Sequence, residues 1–291
     1  MNLNMAIMYF NGEFVEESEA KTSVLDAGYY YGDGIYEVVL WHNGKFVDFD
    51  LHINRFLSCM KSAYFKHTPS KEEITKIIND VVKRNEGNEA FRTASIYMQI
   101  TRGTTERTHE FYNLDLKPNF LVRMLPVKLA EEIKQWHCTI VEDPRRLHCN
   151  VKVISLMPMV IAKYEAEERG FDDILFYNSR CQSMTEGSSF NLFIVSNEGK
   201  IITCPLGIEI LPGCTRTRAI QMFHDNGYQV EERHYSKDEL LNAKEIFTTS
   251  AIKIVTAVVK VDGQQIGDGK VGEVTSWLKK EYFNFMNSTN E

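Results

Sequence analysis

No run in this chain approaches the roughly 20 apolar residues of a membrane-spanning helix, so nothing in it reads as a transmembrane segment. Cysteine is sparse, and its six copies are scattered without CxxC spacing. They read as reduced, mostly structural thiols of a reducing compartment, not as metal ligands. Positive charge is in deficit. The 33 Lys and Arg against 40 Asp and Glu leave a formal net charge of −7, which argues against non-specific nucleic-acid binding. The opening residues, MNLNMAIMYFNGEF, lack a basic stretch followed by a long apolar core. No signal peptide is therefore expected, and a cytoplasmic location is the default. Internal repeats and low-complexity tracts are also missing.

What remains is the composition of a soluble globular enzyme, 43% hydrophobic and 25% charged. A length of 291 residues suffices for two domains. The expected division is 1–126, a short link at 127–134, and 135–291. Asn11-Gly12 marks a hairpin within Ile7–Val15, and Asn43-Gly44 a second one leading into Lys45–Phe49. Helical spacing of Ile53, Phe56, Leu57, Met60 and Tyr64 predicts a helix over Asp50–Phe65, capped by Asp50. Further helices are expected from about Ser70 to Gly87, over Met157–Arg169, from Cys214 to Asn226, and from Gly272 to Asn287. Strands are expected at Ile35–Trp41, Ala94–Thr101, Asn119–Leu125, Trp136–Glu142, Asp173–Asn178, Phe190–Ser196 and Ile254–Val261. Helices and strands mix without strict βαβ alternation, which indicates a mixed α/β (α+β) fold. Arg102–Lys117 is a long polar loop, and loops of that length are often functional.

Six stretches carry chemistry-bearing residues. Lys152 sits between Val151 and Val153, a setting that strips hydration and favours the neutral amine. A neutral amine is the form that condenses with an aldehyde. Arg55, in HINRF, offers a planar fork for a phosphate, or is simply a surface arginine on a helix. In TEGSSFN, Glu186 supplies a carboxylate and Ser188 and Ser189 supply hydroxyls; an ordinary surface turn reads the same way. In LPGCTRTR, Leu211 precedes Gly213, Cys214 and Thr215, which open a helix whose N–H groups suit an anion, or are merely capped. Thr248-Thr249-Ser250-Ala251, after a strand, offers further hydroxyls, which at strand ends are commonly just turn caps. Arg107 and His109, at the tip of the long loop, combine a fixed cation with a tunable donor, as a substrate carboxylate needs. A solvated basic tip is the plain alternative.

Together, GYYYGDGIYEVV, HINRF, the RGT…RTH loop, VK…AKYEA and TEGSSFNLF with GCTR resemble the class IV (fold-type IV) pyridoxal phosphate-dependent aminotransferases. The resemblance spans nearly the whole chain and is strongest toward the D-amino acid transaminase branch, through the Arg107-x-His109 pair combined with YGDGIYEVV. It implies two α/β domains with pyridoxal 5'-phosphate in the cleft between them, the second, larger domain being the cofactor-binding one. Lys152 would hold the cofactor covalently and shuttle the proton. Glu186 would pair with the ring nitrogen, and Leu211 would pack on the ring. Arg55, Ser188 or Ser189, Gly213, Cys214, Thr215 and Ser250 would hold the phosphate. Tyr36, Arg107 and His109 would trap the substrate carboxylate. That loop would come from the neighbouring subunit of a homodimer, and the substrates would be amino acids and 2-oxo acids. Three positions depart from the pattern: Arg146 replaces an aromatic residue, Ser155 an asparagine, and Ala251 a threonine whose hydroxyl is lost. Arg146, by its charge, would favour acidic substrate side chains. A branched-chain L-aminotransferase, an aminodeoxychorismate lyase and a binding protein without turnover are the alternatives on this resemblance.

Overall fold

The computed structural model describes residues 6–110, 115–145 and 147–288. The chain forms two compact units, Met1–Lys128 with Val151–Ser155, and Leu129–Asn150 with Leu156–Glu291. The sequence division keeps 135–291 in one piece. The structure instead gives the five residues around Lys152 to the first unit.

The first unit is built on an antiparallel six-stranded sheet among the described residues. Its strands are β1 (Ile7–Phe10), β2 (Glu13–Glu16), β3 (Gly34–His42), β4 (Lys45–Phe46), β5 (Thr93–Thr101) and β6 (Asn119–Pro126), in the order β2-β1-β6-β5-β3-β4. Asn11 and Gly12 take positive φ, as the expected hairpin requires. A five-residue helix that sequence patterning does not reveal, α1 (Ala27–Tyr31), precedes β3; Asp26 caps it by accepting the Gly28 N–H.

Helices α2 (Phe49–Ser62) and α3 (Lys71–Arg84) cover one face of this sheet. Ile53, Phe56 and Met60 of α2 and Ile74, Ile78 and Val81 of α3 pack against Ile96, Met98, Val122 and Met124. Each large apolar side chain buried in this way contributes about 1.5–3 kcal/mol relative to exposure. Asp50 is not the cap of α2. The chain turns at Asp48 in a left-handed conformation, and Asp50, in the first turn, pairs with Lys71 at 2.7 Å. Ser70 does cap α3, in a reciprocal capping box with Glu73.

In the second unit, β7 (Gln135–Glu142), α4 (Met157–Glu168), β8 (Asp173–Asn178), β9 (Ser183–Gly187), β10 (Asn191–Val195), β11 (Ile201–Thr203), α5 (Cys214–Asp225), β12 (Val230–Glu232), α6 (Lys237–Leu241), β13 (Glu245–Ser250), β14 (Ile254–Val261), β15 (Gln264–Gln265) and α7 (Glu273–Asn287) follow in order. The sheet runs β12-β11-β10-β13-β14-β7-β8-β9. A further pairing of β9 with β10, at Glu186 and Asn191, closes the strands from β10 through β9 into a ring. Strand β9 escapes sequence patterning because all five of its residues are buried although most are small or polar. Leu175, Met184, Leu192, Ile194, Ile246 and Val258 share one core cluster. On another surface of the sheet, Phe193 stacks on Phe247, which meets Phe223 of α5; Phe223 in turn stacks on Trp277 of α7. No helix among the described residues is long and apolar enough to cross a membrane.

Candidate active site

In the first unit, the Lys152 segment lies along the start of β3. Val153 forms an antiparallel bridge with Ile35. The Tyr36 N–H donates to the Lys152 carbonyl and the Ile154 N–H to the Gly34 carbonyl, both at 3.0 Å. The Lys152 N–H itself points at the Cys59 sulfur of α2, 3.4 Å away. Gly34 permits this approach. A Cβ there would stand 2.7 Å from Ile154 Cδ1 and 2.8 Å from the Ile100 carbonyl oxygen. The Lys152 backbone is thus tied to two elements while its ammonium sits 4.3 Å from the centre of the Tyr36 ring. Tyr36 stacks in turn on Tyr97 of β5, centroids 5.9 Å apart. Burial pushes the Tyr97 phenol up to about 12, with Tyr36 adding to the effect.

Arg55 is not a solvated surface arginine; its side chain is only 8% exposed. Its Nε and Nη2 donate to the two oxygens of Glu37 at 2.8 and 2.7 Å. His52 lies 3.1 Å from the same carboxylate. Burial alone would raise Glu37, but the Arg55 charge and then His52 overcome it and hold the carboxyl well below the usual range. Sequence reasoning missed Glu37 and His52. The signal was present as an acid inside the apolar strand IYEVV.

The long loop starts from a fixed base. Arg102 donates Nε and Nη2 to the Asp33 carboxylate at 2.6 and 3.0 Å. Asp26 receives Thr101 and Asn119 side chains, both at 2.6 Å, and so joins the strands on either side of the loop. At the tip, Arg107 lies over the Tyr31 ring, His109 meets that ring edge-on, and the Tyr31 hydroxyl donates to the Thr108 carbonyl. Within one chain, then, Arg107 and His109 gather on Tyr31 of α1, while Tyr36 is grouped with Lys152 and Tyr97. Both loop residues are exposed.

In the second unit, Glu186 of β9 is buried and receives three donors. They are Arg145 Nη1 at 2.5 Å, Asn191 Nδ2 at 3.0 Å and the Leu211 N–H at 3.1 Å. Burial raises its carboxyl above the usual range, with Arg145 acting against that. The three donors suit an ionised carboxylate, which can only accept. Arg145 also grips Asp143 with Nε and Nη2 and lies 4.5 Å over the Phe176 ring. Sequence reasoning weighed Arg146 and passed over Arg145. Arg146 lies outside the described residues.

Nearby in the same unit, Gly213 is the N-cap of α5 and offers no side chain to the first N–H groups. An alanine there would drive its Cβ to within 1.9 Å of Asn191 Oδ1, so the position has no room for one. Cys214 and Thr215 of the first turn are buried. Thr249, on β13 opposite Asn191, has a buried hydroxyl without a hydrogen-bond partner among the described residues. Ser250 is half-buried beside it, Ser188 is half-buried and Ser189 exposed, and Leu211 is half-buried. Ala251 offers no hydroxyl; of the hydroxyls expected along Thr248-Thr249-Ser250, that of Thr249 is the buried one with donor capacity to spare among the described residues.

The first N–H groups of α5, which no side chain caps, are donors suited to an anion, and Glu186 is a buried acceptor in the same unit. Arg55 is a fixed cation, and Lys152 an amine whose backbone is held. Each unit's own groups suit part of a phosphorylated aromatic aldehyde with a basic ring nitrogen: an amine and a fixed cation in the first, helix-end N–H groups and a buried carboxylate in the second. Among the described residues no group of His, Cys, Asp and Glu is arranged to hold a metal ion.

Known proteins resemble the chain over nearly its whole length. The D-alanine aminotransferase of Bacillus licheniformis is 35% identical over 269 residues, covering 91% of this chain and 92% of its own. The corresponding protein of Staphylococcus haemolyticus is 32% identical, with 98% and 99% covered. Among solved structures, the Escherichia coli branched-chain amino acid aminotransferase superposes with a TM-score of 0.89 at 23% identity, covering 99% of this chain and 96% of that one. The Thermobaculum terrenum branched-chain aminotransferase, solved in its pyridoxal phosphate form, gives 0.84 at 21% identity, with 98% and 94% covered. Residues 34–261 match the model of the amino-transferase class IV family, a span that runs from the first glycine under Lys152 to the end of β14. The chain is therefore a member of the class IV aminotransferases, whose fold-type IV architecture it has and whose cofactor is pyridoxal 5'-phosphate.

Proposed function

We propose that the chain is a D-amino acid transaminase, moving the amino group between D-amino acids such as D-alanine or D-glutamate and 2-oxo acids such as 2-oxoglutarate or pyruvate. The observation that carries this reading is the Arg107-x-His109 tip, exposed on a loop whose base is anchored by Asp33 and Asp26. Full-length similarity to D-alanine aminotransferases supports it.

Bound pyridoxal 5'-phosphate supplies the electron-withdrawing ring that makes the substrate's α C–H acidic. The protein does the rest. Lys152 Nζ takes and returns the α-proton; a positioned acid–base of this kind contributes about 10²–10⁴ in rate. Arg55, the first N–H groups of α5 at Cys214 and Thr215, Ser188 or Ser189, and Ser250 hold the phosphate. Thr249 supplies the hydroxyl that Ala251 lacks. Glu186 holds the ring nitrogen, and Leu211 packs on the ring. Tyr36, Arg107 and His109 hold the substrate carboxylate, which fixes which enantiomer turns its α-hydrogen toward Lys152. A charge-assisted hydrogen bond contributes about 1.5–3 kcal/mol, so two of them bias that choice by roughly 10²-fold or more.

Tyr36 and the Arg107/His109 pair have different neighbours within one chain. This supports a homodimer in which each subunit lends its loop to the other. The solvent-facing stripe of Met157, Val160, Ile161 and Tyr164 on α4, at helical spacing, supports self-association.

The test is a half-reaction. The loaded protein is mixed with D-alanine or with L-leucine, without an acceptor, and the visible absorbance of the cofactor is followed. Loss with D-alanine alone is expected. Loss with L-leucine alone would replace this reading by a branched-chain L-aminotransferase.

A further inference from the structure

Strand β3 alternates between its two faces, and Ile35, Glu37 and Val39 all point to the covered one. A carboxylate with no exposed surface among isoleucines and valines is expensive to desolvate, and an apolar residue would cost less. Its surroundings indicate what it does. Glu37 takes two parallel bonds from Arg55, one contact from His52, and a 2.8 Å bond from the Val38 N–H. His52, Arg55 and Cys59 lie on one face of α2, and Cys59 receives the Lys152 N–H. One helical face therefore orients both the arginine and the lysine segment.

We propose that Glu37 and His52 are positioning residues for Arg55, holding its guanidinium at the angle that receives the cofactor phosphate. This rests on the reading above that Arg55 faces that phosphate. An arginine on its own has four rotatable bonds and gives up side-chain entropy whenever it binds an anion. Glu37 takes the Nε and Nη2 edge and removes that freedom before the ligand arrives. His52 fixes the carboxylate in turn. The negative charge of Glu37 opposes a phosphate, so pure electrostatics predicts that its removal tightens binding; positioning predicts the reverse.

The experiment titrates full-length apoprotein with pyridoxal 5'-phosphate and, separately, with pyridoxal. The ratio of the two dissociation constants isolates the phosphate. In Glu37→Gln this phosphate advantage should fall on the order of 10–100-fold, the worth of one or more charge-assisted bonds, with pyridoxal affinity unchanged. His52→Leu should lower it as well. His52→Asn, whose amide stands where Nδ1 stood, should restore it. Arg55→Leu sets the full loss. If Arg55→Leu lowers the ratio and Glu37→Gln does not, the positioning role is wrong and the Arg55 reading survives. If Arg55→Leu leaves the ratio unchanged, both fall. A ratio that rises in Glu37→Gln, or equal weakening of both ligands with loss of thermal stability, also overturns the proposal.

Discussion

Replacing Arg145 with methionine should produce a destabilisation that depends on pH. Arg145 is 19% exposed and pairs with two carboxylates that are 4% and 1% exposed, Glu186 and Asp143. Methionine keeps the apolar length and the contact with Phe176 but removes the charge. Breaking a buried ion pair from one side costs about 3–5 kcal/mol, because the remaining charge is stranded. A carboxyl can avoid that cost by taking a proton. From an ordinary value near 4.3, protonation costs about 1 kcal/mol at pH 5 and about 5 kcal/mol at pH 8. Burial already raises Glu186, and losing Arg145 removes the strongest influence holding it down. A carboxyl raised in the folded state binds more protons folded than unfolded, so stability falls as pH climbs above the unfolded value. The variant should therefore trail the wild type by about 1 kcal/mol at pH 5 and by about 3–5 kcal/mol at pH 8. Urea unfolding of the apoprotein at both pH values measures this. Adding Glu186→Gln to the variant should recover much of the loss at pH 8. A gap that is the same at pH 5 and pH 8 would refute the argument.

Lys152→Ala should abolish turnover while leaving phosphate-dependent cofactor binding detectable by equilibrium dialysis. Arg107→Ala should mainly raise the KM for amino acids, and an unchanged KM counts against the carboxylate role. Mixing inactive Lys152→Ala chains with Arg107→Ala chains tests where the loop acts. If it is lent across a two-fold dimer, half of the dimers are mixed and one of their two sites is whole, so activity returns to about one quarter of wild type. No recovery after subunit exchange means the loop serves its own chain. Gly34→Ala should cost about 1–3 kcal/mol by overpacking and lower kcat, because the new methyl displaces Ile154 and with it the Lys152 segment. Retained stability with full kcat would show that the segment adjusts at no cost.

Local chemistry was legible wherever it was self-contained. Asn11-Gly12 turns as its residue types require, Ser70 and Glu73 cap each other, and α5 begins at Cys214 and ends near Gly227. The chemistry-bearing stretches also stand out in the sequence, but Tyr36, expected with Arg107 and His109, lies against Lys152, while those two gather on Tyr31 of the same chain. The hidden part was what depends on distant partners. Strand β9 carries too few apolar residues to announce burial, since its environment comes from β8 and β10. Helix α1 is too short for periodicity to show. Arg145 and Arg146 are equivalent by type and neighbourhood, and only the fold turns Arg145 onto Glu186, 41 residues away. The return of 151–155 to the first unit depends on hydrogen bonds to Gly34 and Tyr36, which no local pattern encodes.

The two units solve the same problem with opposite signs. In the first, the group proposed to hold the phosphate is a cation, Arg55, and a fully buried acid holds it. In the second, the group proposed to face the ring nitrogen is an acid, Glu186, and a mostly buried arginine bonds it, itself steadied by Asp143. Each arginine is fixed by a two-bonded planar fork onto an acid, Arg55 onto Glu37 and Arg145 onto Asp143, an arrangement that fixes angle as well as distance; Arg145 then gives Glu186 a single bond from Nη1. A lysine in place of either arginine would preserve charge and lose the angle. Arg55→Lys and Arg145→Lys should therefore keep most of the fold's stability while impairing cofactor retention, whereas a purely electrostatic role would tolerate both. The comparison separates charge from orientation at each centre; orientation is favoured because both oxygens of Glu37 take bonds from Arg55, and because Glu186 is held on one oxygen by Arg145, itself fixed on Asp143, and on the other by Asn191 and the Leu211 N–H.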